Sequence, residues 1–167
     1  VIQDLRALLL RDLGTLAREV DLYPDDASLW KAVPGLANAG GNLALHLCGN
    51  LRHFIGATLG GTGYLRDRDA EFAARDLPKA AVLAEIQATL RDVDATLAGF
   101  APARLQDAFP IAFAGQHLGT GAFLLHLGSH LAFHLGQVDY HRRAATGDAR
   151  GAGAVAISEL LPPVAGT

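Results

Sequence analysis

An all-α domain is the fold class this sequence predicts, on three observations. Apolar residues return at steps of three and four in four separate segments, the signature of helices with one buried face. Apolar residues make up 50% and charged residues 19% of the 167-residue chain, a balance that favours a packed helical protein over a disordered one. The clusters of Gly and Pro fall between the periodic segments. A chain of this length buries a substantial core without disulfide support, and with no internal repeat or linker it reads as one domain over residues 1–167.

The first segment, residues 2–20, sets Ile2, Leu5, Leu9, Leu13, Leu16 and Val20 on one stripe with Arg6, Arg11, Asp12, Arg18 and Glu19 between them. Pro24 and the Asp25-Asp26 pair end it, and Trp30 with Pro34-Gly35 marks a loop whose aromatic is expected to pack on the helices. Asn38 is the expected cap of a second helix that packs through Leu43, Leu47, Leu51, Phe54 and Ile55 and stops before Gly60-Gly61-Thr62-Gly63. The charged run Arg66 to Phe72 is expected in a loop or short helix. A third helix starts near Pro78 and packs through Val82, Ile86, Leu90, Val93 and Leu97. Residues 109–119 alternate without helical period, which suits a short hairpin or extended excursion. A fourth helix follows from Thr120 to near Ala145, and the Gly/Ala-rich tail 147–167 has room for one short helix at 155–161 before Pro162-Pro163. Four amphipathic helices in one chain predict a four-helix bundle, the architecture whose facing helices carry metal ligands in the core.

Composition narrows function. A net charge of -3 and a pI near 6.1 leave no basic footprint for nucleic acid and no polybasic membrane patch. No apolar run reaches the roughly 18 residues of a membrane span, and no charged segment leads into an apolar signal core. The single cysteine, Cys48, excludes an internal disulfide and fits a reducing cytoplasm.

The histidines carry the chemistry. His126, His130 and His134 fall at about 0°, 40° and 80° on a helical wheel, and His141 returns to about 60°. An i, i+4 pair spans about 6 Å along the axis, so one ion takes either His126 with His130 or His130 with His134. On the second helix His46, Asn50 and His53 share a face, and either His46 or His53 offers a third nitrogen. Three imidazoles leave a divalent ion an open position, as in catalytic rather than closed structural sites. Taken singly, His53, His117 and His141 read as buried or surface histidines with ordinary partners. Leu131 follows His130, so the metalloprotease motif, which needs Glu there, is excluded. The i, i+4 spacing argues against haem. Cys48, about 200° from His46 on the wheel, reads as a packed thiol.

Three motifs together resemble the DinB/YfiT-like superfamily, whose members are read as metalloenzymes, and within it a branch of short bacterial proteins of unassigned function. They are His46-Leu-Cys-Gly-Asn50-Leu-Arg-His-Phe54, Arg66-Asp67-Arg68-Asp69-Ala70-Glu71-Phe72, and His130-Leu-Ala-Phe-His134-Leu-Gly136-Gln137. With the Trp30 loop they span most of the chain. The resemblance implies an up-down-down-up bundle, commonly a homodimer, that binds one divalent transition metal (Zn, Ni, Fe or Mn) through His46, His130 and His134. His126 lies outside that pattern. Gly136 is expected to permit close helix approach, while Gln137 and Asn50 are candidates for holding ligands from behind. Arg68 and Glu71 are candidates for an ion pair at the mouth of the cleft, with Arg68 free to bind an anionic substrate group. Relatives with assigned activity include thiol-dependent transferases and isomerases. The implied function is therefore metal-dependent transfer or addition of a low-molecular-weight thiol to an electrophile, with His126 and Glu71 the candidate bases. The alternative is a non-catalytic, metal-stabilised stress-response or interaction bundle.

Overall fold

The computed structural model describes residues 1–160, and among them the chain is helical with no strand. Helix α1 (Ile2–Asp21) buries all six of its periodic apolar residues. Each such side chain contributes about 1.5–3 kcal/mol when taken from water, so this one stripe accounts for much of the drive to pack. A short α2 (Asp26–Leu29), absent from the sequence expectation, is capped by Asp25, whose carboxylate accepts from Ser28 N at 2.7 Å. It delivers Trp30 into the core, where the indole Nε1 donates to the Leu77 carbonyl at 2.8 Å.

Helix α3 (Gly40–Leu51) begins after Ala39, and Asn38 makes no capping bond, contrary to expectation. Gly40 starts the helix because its missing Cβ leaves room for the Tyr23 hydroxyl; an added Cβ would fall 2.1 Å from that oxygen. The helix then widens into a π-helical turn, Arg52–Ala57, and closes through α4 (Thr58–Gly60) on the left-handed Gly61. Helix α5 (Arg68–Ala73) is capped by Asp67, which accepts from Ala70 N at 2.9 Å. Helix α6 (Lys79–Ala98) follows Pro78 and buries Val82, Ile86, Val93 and Leu97. Thr89 rather than Leu90 turns fully inward, its hydroxyl satisfied by the Glu85 carbonyl at 2.8 Å.

Residues 109–119 form the expected hairpin-like excursion, with isolated bridges at Ala108 with Gly119 and at Phe113 with Gln116. They bring Phe109 and Phe113 onto Phe123 and Phe54 as one aromatic cluster. Helix α7 (Thr120–Thr146) ends on Gly147 at φ 74° and runs along both α1 and α3. Helix α6 packs on the same two helices, so the core lies among α1, α3, α6 and α7.

The tail is tied back by Arg142. This guanidinium is fully buried, donates to Glu19 at 2.6 Å, and also bonds the carbonyls of Asp148 and Arg150. The expected terminal helix is a 3-10 turn, Ile157–Leu160; its last expected residue, Leu161, and the Pro162-Pro163 pair lie outside the described residues. No helix among the described residues is long and apolar enough to cross a membrane.

Candidate metal centre

Leu124, Leu127, Leu131, Leu135 and Val138 make the buried stripe of α7. That stripe turns His130 and His134 toward α3, from which Leu43, Leu47 and Leu51 pack inward and His46 faces across. The imidazoles of His46, His130 and His134 offer nitrogens that all lie within 4.8 Å of one another, the one such group among the described residues that could hold a metal ion. His46 Nε2 and His130 Nε2 are 3.3 Å apart. The three ring centroids are separated by 5.1, 5.3 and 4.5 Å.

Hydrogen bonds decide which nitrogens face inward. His134 Nδ1 lies 2.6 Å from Gln137 Oε1, an acceptor, so that nitrogen carries the proton and Nε2 keeps its lone pair. His46 Nδ1 lies 3.0 Å from Glu71 Oε2, with the same consequence. His130 Nδ1 is buried with no partner among the described residues. With its proton on Nδ1, His46 offers an Nε2 lone pair that either the His130 Nε2–H or a cation can meet, and three imidazole nitrogens converging at this spacing form a donor set that fits a divalent ion. Charge agrees: burial, reinforced by the neighbouring imidazoles, pushes His130 down to about 4. His134 is lowered by burial as well, against the opposing bond to Gln137. Neutral rings are the ligating form.

Glu71 is buried at 6% exposure and belongs to the site from behind. Arg66 Nε donates to Oε1 at 2.7 Å and Arg66 Nη2 to Oε2 at 2.9 Å, a two-pronged clasp. Burial raises the Glu71 carboxyl, but Arg66 and His46 outweigh it and hold it below the usual carboxylate range. This corrects the expected partner, since Arg68 does not pair with Glu71. Arg68 opens α5 and stacks over the Phe72 ring at 5.0 Å, whereas Arg66 precedes the Asp67 cap and folds back across the helix start. Asn42 anchors the other end of α5, its Nδ2 donating to the carbonyls of Glu71, Phe72 and Ala74. Neither Asn42 nor Arg66 stood out as a site residue, because their partners lie across elements.

The remaining candidates divide. His126 is exposed, stacks on Phe123 at 5.8 Å, and its ring centre lies 6.2 Å from that of His130, outside the trio. His53 rests on Phe54 at 4.7 Å; it enters the π-helical turn, where the angles of a regular helix no longer hold. Asn50 is buried with Oδ1 unpartnered among the described residues, so that oxygen does not hold a ligand from behind as expected. Gly136 is exposed and an added Cβ would meet nothing within 4 Å, so no helix approaches there. His117 Nδ1 donates to the Phe109 carbonyl at 2.7 Å. Cys48 is buried, and desolvation pushes its thiol up to about 12.

Comparison with known proteins does not decide the matter. No family model, no curated protein and no solved structure matches the chain. The site is therefore read from its own atoms.

Proposed function

We propose that this chain is a divalent-metal-binding protein of the DinB/YfiT-like type, an up-down-down-up bundle that acts as a dimer in a reducing cytoplasm. The observation that carries the reading is the set of three converging imidazoles, two of them with Nδ1 engaged by Gln137 and Glu71, and no Asp, Glu or Cys within ligand reach of the same point among the described residues. Such a set leaves coordination positions open, which favours catalysis over a purely structural ion.

The ion would supply a Lewis-acid centre that lowers the pKa of a coordinated thiol toward neutrality. The chain's residues supply the rest. His46, His130 and His134 hold the ion, and Gln137 and Glu71 orient two of the rings. Glu71 is occupied by three hydrogen bonds, two from Arg66 and one from His46, and is withdrawn as a base, so His126, beside His130 and open to solvent, is the group we assign to proton handling. The reaction class is transfer or addition of a low-molecular-weight thiol to an electrophilic small molecule.

One observation favours a second reading. His46 on α3 and His130 and His134 on α7 straddle two helices, so an ion here also clamps them together, as a non-catalytic bundle would require. Elemental analysis of untagged protein, followed by thiol-addition assays with and without chelator, separates the two. About one equivalent of transition metal with chelator-sensitive turnover supports the enzyme. One equivalent with a chelator-sensitive melting point and no turnover supports the clamp. No metal uptake from Zn, Ni, Fe or Mn ends both.

A further inference from the structure

Arg66 and Glu71 are five residues apart at the start of α5 and could satisfy each other anywhere on the surface. Instead the pair is pressed against α3. An added Cβ on Gly49 would fall 1.9 Å from Glu71 Oε1 and 3.4 Å from Arg66 Nε, so the carboxylate occupies space that only a glycine leaves. From that position its other oxygen reaches His46 Nδ1. Arg66 Nη2 also stands 3.2 Å from the same nitrogen. His46 Nδ1 therefore has two neighbours of opposite kind, a carboxylate that asks it to donate and a guanidinium that asks it to accept.

On the metal reading above, we propose that Glu71, braced by Arg66 and admitted by Gly49, is the positioning residue that keeps the His46 proton on Nδ1 and so presents Nε2 to a divalent ion. Without the carboxylate, Arg66 is the remaining polar neighbour of Nδ1. It donates there, and the imidazole proton moves to Nε2, the atom that must ligate. An acidic residue behind a ligating imidazole also raises its basicity. Arg66 cancels the carboxylate's charge, so the site gains orientation while the ion keeps its own double charge.

Two substitutions test this on the full chain. Glu71→Gln keeps the shape but leaves one acceptor where the carboxylate has two: with the amide oxygen toward Arg66 Nε the NH2 faces His46 Nδ1, and with the oxygen toward His46 the NH2 opposes Arg66 Nε, donor against donor. Gly49→Ala touches no imidazole and replaces a helix-interior glycine with the better helix former, yet its methyl must displace the Glu71 carboxylate. Zn²⁺ titration calorimetry on the chelator-stripped proteins should show binding weakened about 10–100-fold in each variant. The imidazole ¹⁵N resonances of the metal-free proteins should place the His46 proton on Nδ1 in wild type and on Nε2 in Glu71→Gln. Unchanged affinity and tautomer in both variants, or a loss of melting temperature alone, would reduce Glu71 to a structural ion pair and overturn the proposal. A wild-type chain that takes up no Zn²⁺ overturns the metal reading and this assignment with it. Wild-type binding with indifferent variants overturns this assignment only.

Discussion

His130 and His141 sit on the same helix about three turns apart, both point into protein, and burial lowers both. Their polar surroundings differ. His141 has each nitrogen engaged: Nε2 donates to the Lys31 carbonyl at 2.9 Å, and Nδ1 accepts from the Tyr23 hydroxyl at 2.7 Å. His130 has Nδ1 unpartnered and Nε2 turned toward a neighbour's lone pair. Satisfied groups hold a fold together, whereas groups left wanting a partner at a cost of about 1–3 kcal/mol mark where a partner is to come. His141 is thus a satisfied structural histidine, and His130 a candidate ligand.

The largest test of that contrast is the double variant His130→Ala/His134→Ala. Only His46 of the trio remains, and elemental analysis should find no stoichiometric metal; one retained equivalent would break the distinction. Next comes the closed half of α7. Arg142→Ala leaves Glu19 buried without its cation and should cost about 3–5 kcal/mol in urea unfolding while metal uptake is unchanged. Burial already raises the Glu19 carboxyl against the pull of Arg142, and its Oε1 has no partner among the described residues.

The contrast sharpens when one substitution is made at both histidines in chelator-treated protein. His141→Leu takes the donor from the Lys31 carbonyl and leaves the Tyr23 hydroxyl only its long bond to the Val138 carbonyl at 3.4 Å, and should cost about 1–3 kcal/mol. His130→Leu removes an unpaired buried nitrogen and should leave stability unchanged or raised. A smaller effect follows from pH. Desolvation depresses His141 despite its bond to Lys31, so the folded chain takes up this proton less readily than the unfolded one. Its stabilising share is complete above the unfolded pKa of about 6.5 and drains away as the pH falls below it. The stability gap between wild type and His141→Leu should therefore narrow from about pH 7.5 to about pH 5.5; a constant gap would show that the ring is not depressed. Smallest of all, His126→Ala should leave metal stoichiometry where it was, and a loss of metal would enlarge the ligand set beyond the present trio.

Much of the fold was legible in the sequence because its periodicity is a one-dimensional record of burial. The stripe from Ile2 to Val20 and the stripe from Val82 to Leu97 pack as the three-to-four spacing requires, and Thr89 in place of Leu90 is a local rotation that spacing alone does not resolve. The π-helical turn was not legible. One extra residue in a turn changes no composition, yet it moves His53 off the wheel position that made it a rival to His46.

The candidate site divides along the same line. His-x3-His spacing on one helix, with a histidine on another, is a local pattern, so the sequence by itself determined that three imidazoles were available and that the Glu of the HExxH metalloprotease motif was missing. Which imidazoles meet, and which nitrogen each presents, was decided by the tertiary structure. Helix register places His46 against His130 and His134 and leaves His126 and His53 aside. The identity of Glu71's partner was decided there too. Sequence spacing favours Arg68 at i, i+3, but the Asp67 cap ends the chain's extended approach, and Arg66 alone can fold back over it. Gly49 carries no signal of its own in the sequence, and its role follows only from α5 lying across it. Such contacts join residues whose proximity depends on how whole helices dock, and a pattern along the chain carries no record of that docking.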